Sequence, residues 1–273
     1  MKTIGIIGFG NMGSAIAKRL DRPLSVFDVD TLKTSNLRDT IRVVLSAALV
    51  VQESEVIILA VKPQDVASLL DSIRKPAEGK DKLFISIAAG ITTGYLESAL
   101  GNVRIIRTMP NTPVEIGEGM IALSKGAYAT DSDLQFTEKE IFSCLGKTLV
   151  VKENMLNAVT AVSGSGPAYV CYFLEREGIN PATEKKNQFL KELIEAAQGL
   201  GFSFEEATLL VNQTYEGTIR FLREANVAPS QLRERVTSKG GTTEAALREL
   251  EKGHSLKEAV KAAWQRAKEL SRG

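Results

Sequence analysis

Two stretches of this chain join glycine to groups that could bind an anion, and they lie at opposite ends of it. The first is "GFGNMG", Gly8 to Gly13. Gly8, Gly10 and Gly13 have the spacing GxGxxG, which suits a pyrophosphate when it follows a strand and opens a helix. Gly8 permits the tight turn. Gly10 carries no Cβ, so backbone can approach the phosphates, and Gly13 lets helix and strand pack closely. With Phe9, Asn11 and Met12 between them, these residues form the expected cofactor-binding turn, and the helix N-terminus supplies unpaired N–H groups. The second stretch is "VTSKGGTTEAALRELEKG", Val236 to Gly253. Hydroxyls and glycines run straight into a helical pattern, which fits either a surface loop or a cradle for a small anion.

Further residues converge on the first stretch. Asp28 ends the second apolar run, 20 positions after Gly8. A carboxylate there can accept ribose hydroxyls and would repel a 2′-phosphate. With Asp30 nearby, this favours NADH as cofactor, while Arg22 and Lys33 leave NADPH open. Ala60, Val61, Lys62 and Pro63 follow the third apolar run, and Ala88, Ala89 and Gly90 follow the fourth. Asn111, in "MPNTP", follows the fifth. Ligands of an open parallel sheet bind at the carboxyl ends of its strands, so all of these are expected at the cofactor.

The elements that must position them alternate. Apolar runs at 2–8, 24–28, 55–61, 83–88 and 103–109 predict strands, and helical patterns lie at 11–20, 65–73 and 93–100. Runs buried on both faces mark a parallel sheet, so the fold class is α/β: a Rossmann-type doubly wound parallel sheet with right-handed crossovers. Segments 119–125 and 146–152 read as edge strands around a helix near 131–145. After Glu153 the strand signal ends. The expected domains are 1–153, dinucleotide-binding, and 154–273, all-α, substrate-binding and oligomer-forming. Long amphipathic helices in the second need a partner surface, and a second subunit offers one.

Bulk properties exclude several classes. The 273 residues carry a formal net charge of +1, which gives no sign of a nucleic-acid partner. No run of 18 apolar residues suggests a membrane span, and the N-terminus lacks the apolar core of a signal peptide. Cys144 and Cys171 form no ligand cluster, so no metal is expected; both read as buried free thiols in a reducing cytoplasm. The single histidine, His254, follows Gly253 at a helix start and reads as exposed rather than catalytic.

With "GFGNMG", "LAVKPQ", "SIAAGIT", "RTMPNTP", "AVSGSGPAY" and "RVTSKGGTTEAAL" in this order, the chain resembles the pyrroline-5-carboxylate reductases. The resemblance spans nearly the whole chain. It implies reduction of 1-pyrroline-5-carboxylate to L-proline by hydride from NADH or NADPH, the last step of proline biosynthesis. It also implies subunits that interlock as homodimers, which in the family often assemble into a larger ring. The second stretch then becomes a carboxylate cradle: Gly240, Gly241, Thr242 and Thr243 hold the substrate, and the Thr243 hydroxyl meets the ring nitrogen as the catalytic contact. Ser163 and Ser165, where "SGSGP" is expected to break the helical run, shape the pocket floor.

The chain departs from the family pattern at four places, one of them Asp28, where a small hydroxyl or basic surroundings are commoner. Lys239 stands where proline is usual, and Ala47 where an asparagine near the cofactor is frequent. Residues 176–192 add about 16 positions, with Gly178 and Pro181 able to break a helix, and read as an exposed loop or a helical excursion. The β-hydroxyacid dehydrogenases need a lysine after "SGSGPAY", and the next one here is Lys185. A reductase of another imine and a non-catalytic dinucleotide sensor are the remaining rivals.

Overall fold

The structure is a computed structural model that describes residues 2–35, 37–79 and 81–271. The chain divides into two compact units. One runs to Met109 and includes Leu123–Glu153; the other is Pro110–Ala122 with Asn154–Ser271.

The first unit is built on a sheet. The strands of the chain are β1 (Ile4–Ile7), β2 (Leu24–Phe27), β3 (Ile41–Val43), β4 (Val56–Leu59), β5 (Leu83–Ser86), β6 (Arg104–Pro110), β7 (Gly119–Lys125) and β8 (Gly146–Val150). Their order across the sheet is β3-β2-β1-β4-β5-β6-β7-β8. From β3 to β6 every pair is parallel, with Ile4 opposite Leu24 on one side and Val56 on the other. The Gly126 N–H donates to the Ile105 carbonyl, which returns β7 against β6 in the opposite sense. β1, β4 and β5 are wholly buried, as helices on both faces require.

Helices α1 (Asn11–Arg19), α2 (Ala47–Glu53), α3 (Val66–Ala77), α4 (Thr93–Leu100) and α5 (Asp131–Phe136) cover this sheet. The interior of one layer is Val50, Val51, Leu70, Ile73, Phe84 and Leu96 with their neighbours. α2 lies so close to β1 that a Cβ on Gly5 would sit 2.3 Å from Val50. The apolar runs predicted the other strands; β3 and α2 were not foreseen, because three residues are too short a run to show alternation. The helix expected over 131–145 is present as α5 continued by a wider π-type turn, Thr137–Phe142.

The second unit is helical: α6 (Leu156–Val159), α7 (Gly166–Glu177), α8 (Thr183–Gln198), α9 (Phe204–Glu224), α10 (Pro229–Arg235), α11 (Thr242–Glu251) and α12 (Leu256–Leu270). Capping boxes start α9 at Ser203 with Glu206, and α12 at Ser255 with Glu258. Each satisfies two backbone donors that the helix itself cannot. "SGSGP" does not break the helical run. Thr160–Gly164 widens into a π-turn, with the Ser165 N–H on the Thr160 carbonyl, and α7 follows directly. The extra segment is mostly the first turns of α8, and it is not peripheral. Its Phe189 is buried and stacks on Phe173 with centroids 4.5 Å apart.

Cys171 is buried, and burial pushes its thiol up to about 12. Cys144 is exposed rather than buried, on the turn that follows the π-turn. His254 is exposed, with Nδ1 2.6 Å from Glu249. No group of metal-ligating residues occurs among the described residues, and none of their helices is long and apolar enough to cross a membrane.

Candidate active site

In the first unit the glycine turn sits between β1 and α1. Gly8 has φ +96°, and a Cβ there would lie 2.5 Å from the Ala60 carbonyl oxygen. A Cβ on Gly13 would lie 2.1 Å from the Gly8 oxygen. Both glycines are dictated by main chain that cannot yield. Gly10 differs: a Cβ there would meet nothing within 4 Å. Gly10 is also the N-cap of α1, and no side chain bonds the first-turn N–H groups of Asn11, Met12 and Gly13. Open space beside unsatisfied donors at a helix start is what a pyrophosphate requires, so the turn fits a dinucleotide.

Asp28 is nearly buried beside this turn. Oδ2 accepts the Phe9 N–H at 2.6 Å, and Oδ1 accepts the Asp30 N–H at 2.8 Å and lies 3.3 Å from Lys33 Nζ. Burial pushes the carboxyl up, but the Phe9 and Asp30 donors and the Lys33 ammonium outweigh it and hold the group below its ordinary value. Asp28 therefore pins the glycine turn. A carboxylate has about four acceptor sites, and three are engaged here, which leaves room for a ribose hydroxyl. Ala60 donates its N–H to the Ile7 carbonyl, which sets Val61, Lys62 and Pro63 at the end of β4. Ala88, Ala89 and Gly90 turn at the end of β5, with Gly90 at φ +74°. A half-buried triad follows that had no sequence signal. Glu153 accepts the Thr93 N–H and hydroxyl, each at 2.6 Å, and Arg107 at 3.2 Å. Burial pushes the Arg107 guanidinium down from its ordinary value, and Glu153 opposes the shift.

In the second unit two hydroxyl clusters flank the π-turn. Ser163 meets the Thr214 hydroxyl at 3.1 Å and the Asn111 amide at 3.3 Å. Asn111, expected at the cofactor, is buried; its Oδ1 accepts the Met120 N–H at 2.8 Å. Its Nδ2 donates to Ser163 and Thr214, so the whole amide is engaged within the second unit. Thr214 reaches Ser163 because α7 and α9 approach at Gly166, where a Cβ would lie 2.5 Å from the Thr214 methyl.

Ser165 gathers the other cluster. Thr242 Oγ1 lies 3.0 Å from its hydroxyl, and the Thr243 hydroxyl donates to it at 3.2 Å. Gly240 has φ +71°, and Gly241 is the N-cap of α11. The glycine amides are already engaged: the Gly240 N–H bonds Glu244 at 2.6 Å, and the Gly241 N–H bonds the Ser238 carbonyl at 2.9 Å. No side chain caps α11. The donors open to an anion are thus the first-turn N–H groups of Thr242, Thr243 and Glu244, at the positive end of the helix. Sequence reasoning named the threonines and glycines. It missed Glu244, Ser238 and Arg266, the last of which lies 26 positions from Gly240 with no local pattern to link them.

The chain as a whole is similar to known proteins. Residues 187–270 match the model for the pyrroline-5-carboxylate reductase dimerisation domain. Residues 3–90 match the model for coenzyme F420-dependent NADP oxidoreductases. The pyrroline-5-carboxylate reductase of Mycobacterium tuberculosis (strain H37Rv) is 35% identical over 99% of this chain and 96% of its own length. The chain belongs to the pyrroline-5-carboxylate reductase family. Solved structures agree. A pyrroline-5-carboxylate reductase from Coxiella burnetii is 32% identical, covers 100% of this chain and 99% of its own, and has a TM-score of 0.66. The Plasmodium falciparum pyrroline carboxylate reductase, solved with NADP bound, is 28% identical over 99% and 98% of the two chains, with a TM-score of 0.62.

Proposed function

We propose that the chain reduces 1-pyrroline-5-carboxylate to L-proline, the last step of proline biosynthesis, in the cytoplasm. The observation that carries this reading is the uncapped start of α11, with the Thr242 and Thr243 hydroxyls drawn together on Ser165. The first-turn N–H groups of Thr242, Thr243 and Glu244 hold the substrate carboxylate, and the helix dipole adds about 0.3–1 kcal/mol. Because the Thr243 hydroxyl donates to Ser165, its lone pairs are free to accept the N–H of the protonated imine. That contact fixes the ring and stabilises its charge. Thr243 is then the catalytic residue by orientation; an alcohol is a poor acid at neutral pH, so solvent restores the proton. The nicotinamide cofactor, when bound, supplies the hydride. Gly8, Gly10, Asn11, Met12 and Gly13 would hold its pyrophosphate, and Asp28 its ribose. Placing the reactants together is the main source of rate.

The cofactor is NADH. Asp28 and Asp30 put two carboxylates against the single Lys33 at the end of β2. A 2′-phosphate there would meet net negative charge. A second copy of the chain pairs through the helices of residues 187–270, and such dimers assemble into a ring; the match to a dimerisation domain supports the pairing. The test is steady-state oxidation of NADH and, separately, NADPH in the presence of pyrroline-5-carboxylate. Turnover is expected with a higher kcat/KM for NADH. No turnover with either, in protein that binds a dinucleotide, would move the assignment to another imine or to a sensor.

A further inference from the structure

Two successive glycines leave a loop free to sample many conformations. Gly240 and Gly241 open the helix that carries the substrate's anion donors, so something must hold them. A cavity of about 380 Å³ lies open against this loop, lined by Lys239, Ala245, Arg248 and Arg266 along with the loop glycines. Apart from Ala245, its lining is charged side chains and glycine, so apolar packing does little to hold the loop there. The loop is held by charge instead. Glu244 Oε2 accepts the Gly240 N–H at 2.6 Å. Arg266 Nε, from α12, donates to the Gly240 carbonyl at 2.7 Å. The peptides before and after Gly240 are thus tied from opposite sides, one to α11 and one to α12.

Each tie is itself held. Arg266 NH1 meets Glu269 at 3.0 Å, one turn along α12. Glu244 Oε1 pairs with Arg248 NH2 at 3.1 Å, one turn along α11. The Gly240 N–H is the largest influence on Glu244, and with Arg248 and Lys239 it keeps the carboxylate ionised below its ordinary range. The Arg248 pairing has a second effect. A bare carboxylate in the first turn of α11 would repel a substrate carboxylate at the same helix start, and Arg248 offsets that charge.

We propose that Arg266 and Glu244 are positioning residues for the reduction, fixing Gly240 so that the first-turn amides of α11 meet the substrate carboxylate in one orientation. This rests on the assignment of that helix start to the substrate. Neither residue touches substrate; both act through the loop. Arg266→Ala frees the Gly240 carbonyl and the loop behind it. The expected result is a rise of about tenfold in KM for the imine, with kcat changed much less and KM for NADH unchanged, since charge-assisted hydrogen bonds are worth more than neutral ones. Arg266→Lys, which keeps one donor, should recover most of the loss.

Amide hydrogen exchange supplies a readout that does not depend on turnover. In Arg266→Ala the hydrogen-bonded amides of Gly240, Gly241 and Ala245 should exchange faster, while those of α9 keep their protection. Unchanged exchange at Gly240, Gly241 and Ala245 overturns the proposal, as does an imine KM equal to wild type. Equal losses for imine and NADH, without recovery in Arg266→Lys, would mark a merely structural residue and also overturn it. Absence of turnover in the wild-type protein would instead remove the substrate assignment, and exchange alone would then decide whether the clamp exists.

Discussion

The two glycine loops of this chain solve one problem in two ways. Each leads into a helix whose N-cap is glycine and whose first-turn donors no side chain satisfies. Each is braced by a carboxylate on a loop N–H: Asp28 on Phe9, and Glu244 on Gly240. The difference lies in what surrounds them. The β1–α1 turn is wedged between strands, with Gly8 against Ala60 and Gly13 against Gly8 at distances no Cβ could occupy. The loop before α11 is held by side chains: Glu244, Arg266, and the hydroxyls around Ser165. Backbone packing gives a loop that accepts almost no substitution. Side-chain bracing gives one whose stiffness depends on a few polar contacts, and which different side chains could retune.

The largest contrast should come from the wedged turn. Gly13→Ala drives a methyl into the Gly8 carbonyl, where neither backbone can move away. It should cost about 1–3 kcal/mol of stability and abolish dinucleotide binding, read by thermal melting and NADH titration. A variant that melts normally and binds NADH would show the wedge to be loose. Next comes the carboxylate of the same turn. Asp28→Asn removes the charge that opposes a 2′-phosphate and should raise the NADPH-to-NADH ratio of kcat/KM by about tenfold, equivalent to about 1.4 kcal/mol. An unchanged ratio would confine Asp28 to pinning Phe9.

The smallest effect is the acid limb. Asp28 and Glu244 both have folded values below their ordinary ones. Their stabilisation is therefore fully present above the unfolded value and is lost as pH falls through the lower, folded value. NADH affinity should stay level down to about pH 4 and weaken below it. A decline that begins near neutrality would assign the titration to some other group.

Much of this was legible in the sequence because the constraint was local. Gly8, Gly10 and Gly13 lie within six positions, and the buried strands are unbroken apolar runs. What escaped was non-local or too short. β3 offers three residues, only one of them buried. Asn111 looks like a strand-end ligand, yet its partners Ser163 and Thr214 are 52 and 103 positions away. Gly240 and Gly241 look like anion donors, but Glu244 and Ser238 had already taken their amides. Residues 176–192 read as an excursion because they are charged. Only Phe189 among them is buried, too little to show a helical face.

If each loop serves its own ligand, two variants crossed with two titrations separate them. Gly10→Ala, whose methyl enters open space, and Thr243→Ala would each be titrated with NADH and assayed for kcat/KM on pyrroline-5-carboxylate at saturating NADH. Gly10→Ala should melt like wild type and weaken NADH about tenfold or more, since its methyl takes the space of the phosphates. Thr243→Ala should bind NADH as wild type does and lose about 10–100-fold in kcat/KM, as expected for one hydrogen bond to a charged group. If Thr243→Ala loses NADH affinity and keeps its kinetics on the imine, the assignment of the α11 loop to the substrate is wrong.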